Sequence, residues 1–365
     1  MRKLGISIYP EKTEKDRLLK YIDKASECGF SRIFSCLISA SGEKEEIKKV
    51  FREINLYGKS KGFEIILDVN PKVFKELGIS YDDLSFFKEA GADGIRLDIG
   101  FTGLQESIMT FNKENLKIEI NMSNDTHYID TIMDYRPNKS NLIGCHNFYP
   151  HIYTGLGMDF FNRCTERFLK YGIRTAAFIS SQEKDTFGPW PVSQGLVTLE
   201  LHRNLPLITQ FKHYIALETI DDIIISNCYP SDEELEKFKN VRTDMVTFEV
   251  ELVAGIPETE RKIVLDKFHF NRGDASENLI RSTESRVKYK GHEFSIFNAP
   301  ALIKKGDIII ESSEYGHYAG ELMIALKDME NTGKSNVVGK IAEEEVFILD
   351  YMKPWQKFSF VEKKF

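Results

Sequence analysis

Residues 62–100 read GFEIILDVNPKVFKELGISYDDLSFFKEAGADGIRLDIG, and they hold the pattern that decides the fold. Gly62 releases the chain into an apolar strand, FEIILDV. Ser80 and Asp83 then stand at capping-box spacing, with Asp in the place of Glu, and predict a helix start. Gly91 and Gly94 stop that helix and lead into a second apolar strand, IRLDI. Glycine just past a helix supplies the left-handed turn from which the next strand begins. Strand, helix and strand in succession predict two parallel strands joined by a crossover.

The same unit recurs on both sides of this stretch. Gly29 stands before SRIFSCLI and Gly172 before IRTAAFI. Thr13 with Asp16, Thr102 with Gln105 and Ser231 with Glu234 repeat the capping-box spacing, and Ile47, Val50, Phe51, Ile54 and Tyr57 mark one face of a helix. Eight candidate strands result, at residues 4–9, 32–38, 63–69, 94–99, 117–121, 142–148, 173–179 and 221–227. Eight such units in about 240 residues are the size of a closed (β/α)8 TIM barrel. A doubly wound open sheet is the rival, but no GxGxxG follows the first strand, so the barrel is preferred. After Asn240 the texture changes: MVTFEVELV, EFSIFN, DIIIESSE, GELMIAL and EVFILDY are short, β-rich and separated by Gly, Asp, Asn and Lys. The expected fold class is therefore α/β, with a barrel domain over 1–240 and a smaller all-β domain, closed or nearly closed, over 241–365.

Charge and cysteine usage narrow the function. Lys+Arg 49 against Asp+Glu 56 leaves the 365-residue chain at −7, which argues against nucleic acid or an anionic membrane as the main partner. Five scattered cysteines, an odd number with no CxxC pair, speak against a disulfide framework and a structural zinc site and for a reducing compartment. The opening MRKLGISIYPEKTEKD turns charged too early for a signal-peptide core, and no apolar stretch reaches membrane-spanning length. A soluble cytoplasmic protein is expected.

In a barrel, the chemistry sits at the carboxyl ends of the strands, and the period-2 rule selects the side chains that face the mouth. ILDVNP places Asp68 and Asn70 on one side of the third strand; IRLDIG places Arg96 and Asp98 on one side of the fourth. KIEIN offers Glu119 and Asn121, GCHNFYP offers His146, Asn147 and Tyr149, and the first strand offers Tyr9. Asp68 and Asp98 at strand ends are expected to be functional, whereas Arg96 and Glu119 equally suit an ion pair plugging the barrel. The long connection after the seventh strand carries Pro189, Trp190 and Pro191, either a platform for a sugar ring or a filler of the rim. Glu200, His202 and Arg203 follow, at the mouth or on a solvated helix end. The histidines form no HExxH or HxH set and no strand ends in lysine, so neither metal catalysis nor a Schiff base is expected. In the second domain, Arg272, Arg281, Ser282 and Arg286 concentrate cations and a hydroxyl that suit a phosphate or carboxylate, though a charge run is also ordinary surface.

Taken in order, GISIYP, GFSRIFSCL, the DVNP turn, GIRLDIGF, CHNFYPHIYTGLGMDFF, GLVTLELHR and RGDASENLIRSTESR resemble the MupG family over nearly the whole chain. The resemblance implies a (β/α)8 barrel followed by a cyclophilin-like β domain. It also implies a 6-phospho-N-acetylmuramidase, which hydrolyses the β-1,4 bond of N-acetylmuramic acid 6-phosphate–N-acetylglucosamine in cell-wall recycling. Such hydrolysis needs two carboxyl groups and calls for no cofactor or metal. Asp68, Asp98, Glu119 and Glu200 are the candidates for them, with Asp98 first and Asp68 second. Tyr9, Asn70, Asn121, His146, Asn147, Tyr149, Trp190 and Arg203 are the expected sugar-binding groups, and Arg272, Arg281, Ser282 and Arg286 the expected phosphate site. The expected partner is this small anionic phosphodisaccharide. A phosphosugar isomerase or epimerase using His146, and a binding protein without turnover, remain the alternatives.

Overall fold

The eight predicted strands form, and each pairs in parallel with its successor: β1 (Lys3–Ile8), β2 (Arg32–Cys36), β3 (Glu64–Val69), β4 (Gly94–Leu97), β5 (Lys117–Asn121), β6 (Leu142–Cys145), β7 (Arg174–Ile179) and β8 (Asp222–Ile225). β8 pairs back onto β1, with Ile223 opposite Leu4, and closes the barrel. These coordinates are a computed structural model that describes residues 2–40 and 42–363. The strands are buried on both faces because helices cover the outside and side chains fill the inside. They read accordingly as near-continuous apolar runs.

Helix starts follow the sequence less closely. Ser231 and Glu234 form a reciprocal capping box at 3.2 and 3.3 Å, as their spacing predicts. Ser80 and Asp83 do not. They bridge each other in a turn, two short helices (Pro71–Glu76 and Ser85–Glu89) replace one long one, and Asp83 accepts from the amide of Ser85 at 3.1 Å. The box expected at Thr102 is shifted by one residue: Glu106, not Gln105, takes the amide of Gly103 at 2.6 Å.

The lower barrel is charged. Arg32 reaches Asp222 of β8 at 2.6 Å and also holds Glu119 of β5, while Arg174 of β7 shares Asp222. Burying an ion costs several kcal/mol unless a partner and hydrogen bonds offset it, and each charge here has an opposite neighbour.

The chain divides into two compact units: residues up to Phe211 with Glu218–Val241, and Lys212–Leu217 with Arg242–Phe365. The second unit is mostly sheet; among the described residues it also carries the helices Glu258–Leu265 and Glu284–Lys288, the 3-10 segments Ser313–Tyr318 and Glu343–Tyr351, and the end of the helix Leu207–Leu217. Its strands are β9 (Val246–Leu252), β10 (His269–Phe270), β11 (Leu279–Ser282), β12 (Leu302–Ile303), β13 (Asp307–Glu311), β14 (Leu322–Ala325), β15 (Met329–Glu330), β16 (Ser335–Ile341) and β17 (Lys357–Glu362). Seven of them form one sheet in the order β10-β17-β9-β16-β13-β14-β11, and β12 pairs with β15. The amide of Arg272 donates to the carbonyl of Arg281 at 2.9 Å, which draws the two sheet edges together. Ile303, Ile309, Met323, Ala325 and Val337 form a buried cluster within it.

Candidate active site

Strand register brings the candidate acids together. Asp68 of β3 stands opposite Arg96 of β4, so their side chains lie beside each other on the inner face. Two residues on, Asp98 shares the side of Arg96 at the carboxyl end. Nη1 of Arg96 donates to Asp68 Oδ1 at 2.5 Å and lies 3.3 Å from Asp98 Oδ1, and Nη2 donates to the side-chain oxygen of Asn147. The thiol of Cys36, the register partner of Asp68 on β2, lies 3.8 Å from Asp68 Oδ2. With Phe148, Pro189 and Trp190, the groups Asp68, Arg96, Asp98 and Asn147 line a cavity of about 200 Å³ at the barrel mouth.

The two acids differ in environment. Asp68 is 5% exposed. Burial pushes its carboxyl up to about 7; the Arg96 guanidinium opposes that rise and the neighbouring Asp98 adds to it. The Asp98 side chain is 35% exposed and opens to the cavity. A buried carboxyl that keeps a proton near neutrality, beside a second and more open carboxyl, is the arrangement of an acid–base pair.

The other expected site residues divide sharply. Trp190 lines the cavity and is 41% exposed. Asn121 donates to the carbonyl of Asp98 at 2.9 Å and so fixes the backbone that carries that acid. Tyr9 is buried and donates to the carbonyl of Ser226 at 2.5 Å. Asn70 caps the helix Pro71–Glu76 by accepting from the amide of Val73 at 3.0 Å. Tyr149 is joined through its amide to the carbonyl of Val197 at 2.9 Å. Glu119 lies beneath the cavity, fully buried on Arg32.

His146 turns the other way. Cys145 and Asn147 face inward, so parity sends the intervening imidazole out onto the helix Met158–Leu169. There it stacks on Phe161 with centroids 4.5 Å apart and bonds Thr165 Oγ1 at 2.9 Å and Ser123 Oγ at 3.1 Å. Burial, with the charge of Arg96, lowers its pKa to about 3, so it is neutral and packed rather than a proton carrier at the mouth.

Glu200 and Arg203 serve as a clasp. Arg203 holds both Glu200 oxygens at 2.7 Å, and Glu200 in turn accepts the amides of Tyr153 at 2.9 Å and Gly155 at 2.8 Å. Arg203 also donates to the carbonyls of Tyr149, Gln194 and Gly195. These bonds, the Arg203 one foremost, hold the Glu200 carboxyl down at about 2, where it is ionised and cannot give a proton. A Cβ on Gly155 would come within 2.7 Å of the Glu200 amide and carboxyl, so only glycine permits this approach.

Two family models match the chain. One, described as 6-phospho-N-acetylmuramidase, N-terminal, covers residues 4–240, and its C-terminal counterpart covers 246–361. The chain belongs to the 6-phospho-N-acetylmuramidase (MupG) family. An uncharacterized B. cereus protein of known structure shares 49% identity with this MupG-family chain over 99% of each, with a TM-score of 0.91. A conserved Enterococcus faecalis protein of unknown function has the same fold at 24% identity, over 99% of this chain and 96% of that one, with a TM-score of 0.71. No curated protein matches it.

In the second unit of this MupG-family protein, Arg281 and Arg286 converge on the buried carboxylate of Glu321 at 2.8 and 3.0 Å, and both guanidinium groups lie over the ring of Tyr318. Arg272 pairs instead with Asp274 at 2.5 Å, and Ser282 with His269 at 3.1 Å. Two groups escaped the list of expected site residues. Arg96 joins Asp68, Asp98 and Asn147 in the cavity wall, and the sequence carried that signal in its two-residue offset from Asp98. Phe148 packs edge-on against Phe34 and Phe178 and forms a cavity wall. No motif marks it. Among the described residues, no group of three or more His, Cys, Asp and Glu is placed to hold a metal ion.

Proposed function

We propose that this protein is a glycosidase that hydrolyses the β-1,4 bond of N-acetylmuramic acid 6-phosphate–N-acetylglucosamine in the cytoplasm, during recycling of the cell wall. The observation that carries the reading is the pair Asp68 and Asp98 on one guanidinium in a strand-end cavity, with Asp68 poised near pH 7. Asp68 gives its proton to the glycosidic oxygen as the bond to the anomeric carbon breaks, and Asp98 attacks that carbon from the other face. Asp68, now ionised, then takes a proton from water, whose oxygen displaces Asp98 and releases the sugar. Arg96 keeps both carboxyls in register, and Trp190 offers an amphipathic ring to the sugar. Within the second unit, the Arg281–Arg286 pair retains one positive charge after Glu321 is counted and suits an anion such as phosphate. The test is incubation with the phosphorylated and unphosphorylated disaccharides and mass analysis of the products. Release of N-acetylglucosamine from the phosphorylated one alone supports the reading. Recovery of both substrates intact, or of an isomer of equal mass, overturns it.

A further inference from the structure

The cavity at the mouth is small for a disaccharide. Its volume of about 200 Å³ is below the roughly 300–1,000 Å³ of pockets that enclose a whole ligand. One sugar ring can sit against Asp68, Asp98 and Trp190, and the second must lie on the rim. The rim beside Trp190 is the loop that follows β6. It is joined to the segment after Trp190 at several points: the Gln194 amide to the Pro150 carbonyl at 2.9 Å, the Ile152 amide to Gln194 Oε1 at 3.2 Å, and the Leu156 amide to the Thr198 carbonyl at 2.8 Å.

At the tip of this loop stands Tyr153, 83% exposed and held at φ +68°. A bulky side chain in the left-handed region costs on the order of 1–2 kcal/mol, and glycine would remove the cost. The side chain does not repay it: among the described residues, the phenol ring and hydroxyl have no partner. The backbone is nevertheless fixed, because the Tyr153 amide donates to Glu200 Oε1 and the Glu200–Arg203 clasp is largely withdrawn from solvent. A rigid, strained, uncovered aromatic ring on the same loop that sends Asn147 and Phe148 into the cavity wall is a preformed stacking surface.

We propose that Tyr153 is a specificity-determining residue that stacks against the leaving sugar, the apolar face of a pyranose ring outside the cavity. This rests on the glycosidase reading above. The test compares two substrates that share the phosphorylated muramic acid: the full disaccharide, and the β-glycosyl fluoride, which has no second ring. Tyr153→Gly removes the ring and relieves the backbone, so the fold is retained; Tyr153→Phe keeps the stacking face. For Tyr153→Gly the expected result is a loss of about tenfold in kcat/KM on the disaccharide with the fluoride unaffected, and near-normal values for Tyr153→Phe on both. Equal losses on the two substrates, or none on the disaccharide, overturn the inference while leaving the glycosidase reading intact. An unmodified protein that cleaves neither substrate overturns that reading and this inference with it.

Discussion

Asp68 lies between opposed influences: burial and Asp98 raise its pKa, and Arg96 lowers it, with the balance near 7. If it is the general acid, it works only while protonated, so kcat/KM should fall on the alkaline side with an apparent pKa of about 7. A profile flat from pH 6 to 9 would remove it from that role. Asp98→Asn keeps the shape and removes the charge; activity should drop by several orders of magnitude while the thermal midpoint holds. Near-normal turnover in a folded variant would exclude Asp98. Stereochemistry follows from the same geometry. Asp68 Oδ1 and Asp98 Oδ1 lie at 2.5 and 3.3 Å from one nitrogen, too close together for the roughly 6.5–9.5 Å that seats a water between acid and base. The first-formed sugar should therefore be the β anomer, and nuclear magnetic resonance of fresh product would detect an α anomer instead. At this scale the sequence was legible where parity alone decides, as for Asp68, Asp98 and Asn147. It misled at His146, because where β6 stops determines which of two adjacent residues faces in. Glu200 and Arg203 look like any helical ion pair until the five backbone groups they bind are seen.

Among the elements, the strands were readable to within three residues at either end, since a buried parallel strand needs an unbroken apolar run. Helix starts were less so. The motif at Ser80 has the right letters, but a second short helix begins only at Ser85, after an intervening turn. The connection from β7 carries structure that composition does not reveal. Lys12, in the short helical turn after β1, donates to the carbonyl of Gly188 at 3.1 Å and to that of Pro189, immediately before Trp190. Phe187 and Cys228 exchange backbone hydrogen bonds at 2.6 and 2.9 Å just upstream. Lys12→Met should free the tip of this connection. Proteolytic nicking between residues 184 and 194 should then quicken and KM rise, with kcat changed less. Unaltered cleavage rates would show that the Phe187–Cys228 pairing suffices alone.

For the molecule as a whole, repetition made the barrel legible, because eight copies of one pattern outvote any local ambiguity. The sheet unit was legible only as texture: its order, β10-β17-β9-β16-β13-β14-β11, depends on pairings between strands up to about a hundred residues apart that no local signal encodes. Its arginines were visible as a cluster, but Glu321, which gathers two of them, lies 35 residues beyond Arg286 and was not. Arg286→Ala should weaken binding of inorganic phosphate, followed by calorimetry, by roughly 1.5–3 kcal/mol, the worth of a charged hydrogen bond. Binding of an unphosphorylated sugar should lose much less. Equal losses would indicate that freeing Glu321 has damaged the sheet unit.

The clasp of Glu200 and Arg203 bears on how this protein can be redesigned. One ion pair fastens the connection after β6 to the connection after β7, through Tyr153 and Gly155 on one side and Gln194 and Gly195 on the other. A loop transplanted alone from a relative would arrive without its half of the fastening, leaving the recipient's other loop unmoored. Altered substrate range is therefore to be sought by exchanging both connections as a matched set, with the pair between them.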